Sequence, residues 1–132
     1  MALFQQSVLK KHLNDLNKEE LQKAWTIFRS HFHDAVKQQN IYNAKEEQYQ
    51  EGFLRELFVD VFGYTLNPTP NFNLTTEYKN EKDSKKADGA ILLPSGADDV
   101  QKVTAVIELK GTDTTDLGKV ETQAFSYKNN QK

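Results

Sequence analysis

Ala87-Asp88-Gly89-Ala90-Ile91-Leu92-Leu93 and Val103-Thr104-Ala105-Val106-Ile107-Glu108-Leu109-Lys110 are two aliphatic runs separated by Pro94-Ser95-Gly96-Ala97-Asp98-Asp99. β-branched and aliphatic residues on either side of a Pro/Gly/Asp-rich segment predict two antiparallel strands of one hairpin. Side chains alternate across a strand, so Glu108 and Lys110 project from one face while Ala105, Ile107 and Leu109 project from the other. A hairpin that closes symmetrically about Asp98 sets Asp88 opposite Glu108. Two carboxylates that near repel unless a cation lies between them, and oxygen-only ligation suits Mg²⁺, which also keeps several of its waters. The backbone carbonyl of Leu109 is a candidate further ligand. Lys110 is placed to orient attacking water or to stabilise charge developing on a phosphoryl oxygen. The parts suit metal-dependent phosphodiester hydrolysis. The plain alternative for Glu108 and Lys110 is a solvated ion pair of little energetic worth.

Working outward, Phe72, Leu74, Thr76 and Tyr78 alternate with polar neighbours and predict a third, half-buried strand, followed by a charged loop from Lys79 to Lys86. The chain before Gly63 reads as helix. Asn17 with Glu20 three residues on is a capping-box-like start, flanked by Leu16 and Leu21 at the staple positions, and it opens a helix at Lys18. Behind it Leu21, Ala24, Trp25, Phe28 and Phe32 form a stripe at helical spacing, and a shorter helix with Leu9 and Leu13 precedes it. A further helix is expected to open at Asn43, with Glu46 three residues on, a stripe of Phe53, Leu54, Leu57, Phe58 and Val61, and Gly63 at C′. Beyond Gly111 comes the loop Thr112-Asp113-Thr114-Thr115-Asp116, in which Thr114 or Thr115 is expected to cap a last helix carrying Leu117, Val120, Ala124 and Tyr127. That helical pattern is still running at Gln131-Lys132, so the expectation is a piece of a longer polypeptide. There is no internal repeat.

Composition narrows the function classes. The 132 residues suit one domain, and 17 basic against 19 acidic side chains leave a net charge of −2, so any grip on nucleic acid must be local rather than a matter of bulk charge. The absence of cysteine removes disulfides, thiolate metal sites and cysteine nucleophiles. No run approaches the roughly 20 apolar residues of a membrane span and the start lacks a signal-peptide pattern, which leads to the expectation of a cytoplasmic protein without a membrane partner.

Asp88 followed by Glu108-Leu109-Lys110 resembles the Asp…Glu-x-Lys signature of the PD-(D/E)XK nuclease superfamily. Gln123-Ala124-Phe125-Ser126-Tyr127 matches the Gln-x-x-x-Tyr motif that follows it in the type I restriction and RecB-like branches. The longer strings Lys86 to Leu92 and Val106 to Thr112 are similar to the amino-terminal nuclease domain of type IIG restriction–modification enzymes. The resemblance covers about residues 43–132 and implies an α/β (α+β) fold with a restriction-endonuclease-like αβββαβ core, cut short at its C-terminus, and a helical addition over residues 1–42. It implies cleavage of double-stranded DNA with Mg²⁺, for which Mn²⁺ substitutes. Asp88 and Glu108 become metal ligands, Lys110 the catalytic lysine, and Gln123 and Tyr127 assistants that orient the lysine or contact the DNA backbone. Downstream methyltransferase and target-recognition domains are the implied partners, and a homodimer is one route to cutting both strands. Ala87 stands where the name-giving Pro would be. The rival readings are a catalytically silent nuclease-fold module for DNA or protein docking, and a nuclease of repair or mobile-element origin.

The remaining candidates each have two readings. At about 100° per residue Glu47 falls in line with Leu54 and Val61, and the resemblance, in which an acid near the start of this helix adds to the metal site, makes it the candidate further ligand; a helix-start acid favoured by the macrodipole is the alternative. Gln123 and Tyr127, four apart, share a helix face, and Tyr127 as a core aromatic is the alternative there. His31 and His33 point to different faces and read as a solvated pair. Lys79, Lys82, Lys85 and Lys86 suit phosphate contact or a plain charged loop. Trp25 and Phe28 read as core rather than as a stacking platform for bases.

Overall fold

The computed structural model describes residues 5–79, 85–93 and 102–129; the turn region 94–99 with its centre at Asp98, Lys82, and Gln131-Lys132 lie outside them. Within them the chain is mixed α+β, with five α-helices, one π-helix and a three-stranded antiparallel sheet. The helices come first: α1 (Gln6–Asn14), α2 (Lys18–Phe32), α3 (Ala35–Asn43) and α4 (Glu46–Phe53), which runs on into a π-helix over Leu54–Val61. Then follow β1 (Leu74–Lys79), β2 (Lys86–Leu93), β3 (Lys102–Ile107) and α5 (Leu117–Asn129). No helix among the described residues is long and apolar enough to cross a membrane.

Helix α2 starts where its cap predicts, since the Asn17 side chain accepts from the Glu19 N–H at 2.9 Å and the Glu20 N–H at 3.4 Å. Its stripe is only half used. Phe28 and Phe32 are half-buried, and Phe32 meets Phe53 edge-on with ring centroids 6.0 Å apart, whereas Leu16, Leu21 and Trp25 stay exposed. The π-helix covers only the C-terminal part of α2, so Trp25, 47% exposed, stacks on Phe28 at the surface instead of entering a core. Asn43 does not open the next helix. It closes α3, whose cap is Asp34 through the Lys37 N–H at 2.7 Å, and the boundary between residues 42 and 43 therefore falls in the last turn of α3. Helix α4 begins at Glu46, where the Gln48 side chain accepts from the Lys45 N–H at 2.7 Å.

The predicted stripe from Phe53 to Val61 is helical but π-wound, with the Phe62 N–H reaching back five residues to the Leu57 carbonyl at 3.0 Å. Gly63 ends it at φ 77°, a left-handed conformation open to glycine at no steric penalty. On its outer side the Glu56 carboxylate accepts from Lys37 Nζ of α3 and Tyr49 Oη of α4, and His31 of α2 lies between Glu56 (3.4 Å) and Asp60 (3.1 Å). His31 is thus half-buried between two carboxylates rather than part of a solvated pair. Burial pushes the Glu56 carboxyl up, but the bonds from Lys37 and Tyr49 and the nearby charges of Lys37 and His31 outweigh it and hold it below the ordinary range. Burial first, then the bond to Glu56, pushes the Tyr49 hydroxyl well above the usual phenol range.

The sheet order is β1-β2-β3, with both pairings antiparallel. As the middle strand, β2 is buried on both faces, at Ala87, Gly89, Ala90 and Leu92. Gly89 suits the close packing there, where a Cβ would meet the Thr75 carbonyl at a tight 3.2 Å and Ile107 Cδ1 at 3.4 Å. The rungs Gly89–Ile107, Ala90–Val106 and Ile91–Ala105 keep the register that is symmetric about Asp98, and a bulge between Ile91 and Leu92 shifts it by one farther up. Strand β3 lies at the sheet edge, and α5 packs on β2 and β3. The buried core consists of Leu54 (1% exposed) on the π-helix and, from the rest of the chain, Leu66, Leu74 (0%), Ala87, Ala90, Leu92 and Tyr127.

Replacing Leu54 by Ala leaves a cavity at the centre of this core and is expected to lower the unfolding free energy by about 2–5 kcal/mol in urea titrations, against less than about 1 kcal/mol for Trp25→Ala. Because the Glu56 carboxyl is depressed in the folded chain, its contribution is present at neutral pH and disappears as pH falls through its folded value. Glu56→Gln is therefore expected to cost roughly 2 kcal/mol at pH 7, with the difference from wild type closing on acidification.

Candidate active site

Strand β3 ends at Ile107, three residues short of its predicted end at Lys110. Where the next rung would form, the Leu109 N–H donates to Asp88 Oδ2 at 2.6 Å, so a side chain takes the amide that the ladder would have used. Asp88 thereby stops the sheet and releases Glu108-Leu109-Lys110 into an extended segment on its own. The alternation survives the release: Glu108 Oε1 and Lys110 Nζ, two residues apart, meet at 2.6 Å. The role found for Leu109 is that of an amide donor to Asp88.

Glu108 lies deeper than Glu46, its side chain 5% exposed against 34%, and its Oε2 is buried without a hydrogen-bond partner. Burial is the main cause that holds its carboxyl above the ordinary carboxylate value; Lys110 opposes this, and the charges of Asp88 and Glu46 add to it. Lys110 is held above the usual lysine value, chiefly by its bond to Glu108, with burial opposing and Glu46 and Asp88 contributing. It therefore carries its proton at neutral pH and can act as a cation and donor, not as a base.

The acid supplied by the preceding helix is Glu46, not Glu47. Glu46 Oε1 lies 3.7 Å from Lys110 Nζ and its Oε2 accepts from the Gly111 N–H at 3.0 Å, while Glu47 is exposed. Projection onto the stripe of Leu54 and Val61 assumes that one surface covers the whole helix. The first turn of α4 instead faces the segment 109–112, which is also fastened to α3 by Thr112 Oγ1 on the Tyr42 carbonyl at 3.3 Å. Gln50, one turn on from Glu46, joins the site as well, its Nε2 lying 3.2 Å from Asp88 Oδ1 and 3.4 Å from Glu46 Oε1. The i, i+4 spacing from Glu46 was its only signal in the sequence. Between α3, α4 and the segment 109–112 opens a cavity of about 190 Å³, lined by Ile41, Tyr49, Phe53 and Leu109 with Glu46 and Lys110 at its polar end.

Gln123 and Tyr127 face each other on α5, with Gln123 Nε2 donating to Tyr127 Oη at 3.0 Å and Tyr127 buried to 5% exposure. No described hydrogen bond or ion pair joins either of them to Asp88, Glu108 or Lys110. Neither Thr114 nor Thr115 caps α5; Asp116 does, accepting from the Lys119 N–H at 3.1 Å. Of the lysines considered for phosphate contact, Lys86 pairs with Glu77 at 3.2 Å and Lys79 is exposed.

The raised Glu108 carboxyl fixes the sign of a pH effect. Between the ordinary value of 4.5 and its higher folded value the folded chain holds a proton that the unfolded chain has lost, so stability declines as pH rises through that window. Glu108→Gln removes the decline: by scanning calorimetry without metal, the variant is expected to melt higher than wild type at pH 7, with the gain vanishing below pH 4.5. Compared with known proteins, the chain matches no protein-family model, no curated protein and no solved structure.

Proposed function

We propose that this chain is a Mg²⁺-dependent endonuclease domain that hydrolyses phosphodiester bonds of double-stranded DNA, on a restriction-endonuclease-like core, and serves as the cleavage part of a type IIG restriction–modification polypeptide. The observation that carries the reading is Glu108 Oε2, a buried carboxylate oxygen left without a donor beside a second acid and a protonated lysine. A scaffold gains nothing from such an atom, because a buried polar oxygen without a donor is destabilising even where the other oxygen is ion-paired, as Glu108 Oε1 is with Lys110. A hard cation at that oxygen removes the penalty.

The donor set fits such a cation. Asp88, Glu108 and the Leu109 carbonyl offer oxygen alone, in line with Mg²⁺ held by one or two carboxylates and completed by water and substrate phosphate. Among the described residues no group of three His, Cys, Asp or Glu side chains is placed to hold a metal ion. Bound there, Mg²⁺ supplies Lewis-acid polarisation of the scissile phosphate and lowers the pKa of a water. Lys110, kept as an ammonium, stabilises the charge that develops on a phosphoryl oxygen. Glu46 and Glu108 flank Lys110 and hold it there. Gln123 and Tyr127 bond each other on α5, which packs on the sheet, and DNA-backbone contact is the role the resemblance suggests for them.

The silent docking module is the second reading, favoured by Asp88 and Glu46 each already having a protein donor on both oxygens. Nicking of supercoiled plasmid with Mg²⁺ or Mn²⁺ separates the two. Wild-type chain is expected to nick, and Lys110→Ala is expected to lower the rate about 100- to 1000-fold; a variant that nicks as fast as wild type removes Lys110 from the mechanism, and a wild type that never nicks favours the docking module.

A further inference from the structure

Asp88 on β2 and Glu46 on α4 belong to different layers, and the side chain between them is Gln50. Its amide nitrogen carries two protons and has two acceptors within reach, Asp88 Oδ1 at 3.2 Å and Glu46 Oε1 at 3.4 Å. The second oxygen of each acid takes a main-chain N–H, Leu109 for Asp88 at 2.6 Å and Gly111 for Glu46 at 3.0 Å. Each acid is therefore held at both oxygens, and Gln50 is the side-chain donor they share. Its neighbour Tyr49 is fixed separately, by its hydroxyl on Glu56 in the π-helix that continues α4.

The chemistry of the linking group matters. An ammonium or guanidinium at position 50 would join the same two acids and neutralise them, and another carboxylate would push them apart. A primary amide gives two hydrogen bonds with no net charge, so the orientation of the acids is set while their negative potential is kept for a cation. We propose that Gln50 is a positioning residue of the divalent-cation site, orienting Asp88 and Glu46 without neutralising them. The inference rests on the metal-site reading above and adds a residue that reading does not use. Groups that orient ligating side chains in this way typically matter about 10- to 100-fold in metal affinity.

The test is Mn²⁺ titration by calorimetry on the whole chain, comparing wild type with Gln50→Met, which keeps length and bulk but has no donor, and with Gln50→Ala, together with metal-free melting curves. Both variants are expected to melt within a few degrees of wild type and to bind Mn²⁺ about 10- to 100-fold more weakly. Variants that melt lower but bind Mn²⁺ as tightly once folded would show a structural role alone and overturn the proposal. Wild type that binds no Mn²⁺ overturns the metal-site reading and this inference together, whereas wild type that binds alongside undiminished variants overturns the role of Gln50 only.

Discussion

The arrangement depends on one hydrogen bond, from the Leu109 N–H to the Asp88 carboxylate at 2.6 Å. A ladder that ran on through residue 109 would commit the amides of this stretch to strand pairing and leave Asp88 to find another donor. By taking that amide itself, Asp88 ends the sheet and fixes its own carboxylate in the same step. The segment it frees reaches across to the first turn of α4, where Glu46 accepts the Gly111 N–H and meets Lys110. Local competition between a side chain and the backbone ladder thus decides where strand gives way to site.

The acids gathered there are electrostatically unfavourable to the folded chain by themselves. Burial and two like charges hold the Glu108 carboxyl up, and Lys110 offsets only part of that. The helical layer carries a contrasting cluster around Glu56, in which every neighbour supplies a proton or a positive charge and the carboxyl is held down. One acid fastens helices together; the other is paired with Lys110 through one oxygen and keeps the second buried without a donor. Adjacent residues of α4 reach the two clusters, Tyr49 bonding Glu56 and Gln50 bonding Asp88.

The hairpin was legible because its information is local: period-two alternation and a turn-rich spacer set the register at Gly89–Ile107, although the bulge after Ile91 left no mark in the pattern. The start of α2 was legible for the same reason, as Asn17 caps its own neighbours. What escaped needed knowledge of which surface covers which turn. Glu47 follows the stripe, but the first turn of α4 looks onto residues 109–112, and there Glu46 is the acid in reach. The π-winding after Phe53 and the one-sided use of the α2 stripe are likewise products of packing, invisible to a projection at a fixed angle. Gln123 and Tyr127 share a face as their spacing predicts, and they use it to bond each other.

The position of β3 at the rim of the sheet has a practical consequence. An outermost strand presents a row of main-chain donors and acceptors that another chain can adopt as a template, and natural sheets blunt such rims with charge or proline. Between Val103 and Ile107 the rim carries neither, only aliphatic side chains and one threonine. Among the described residues this strand is open to such pairing, and Ala105, which is exposed, is the place where a lysine would blunt it, whereas Thr104 spends its hydroxyl on the Ile91 carbonyl at 3.1 Å.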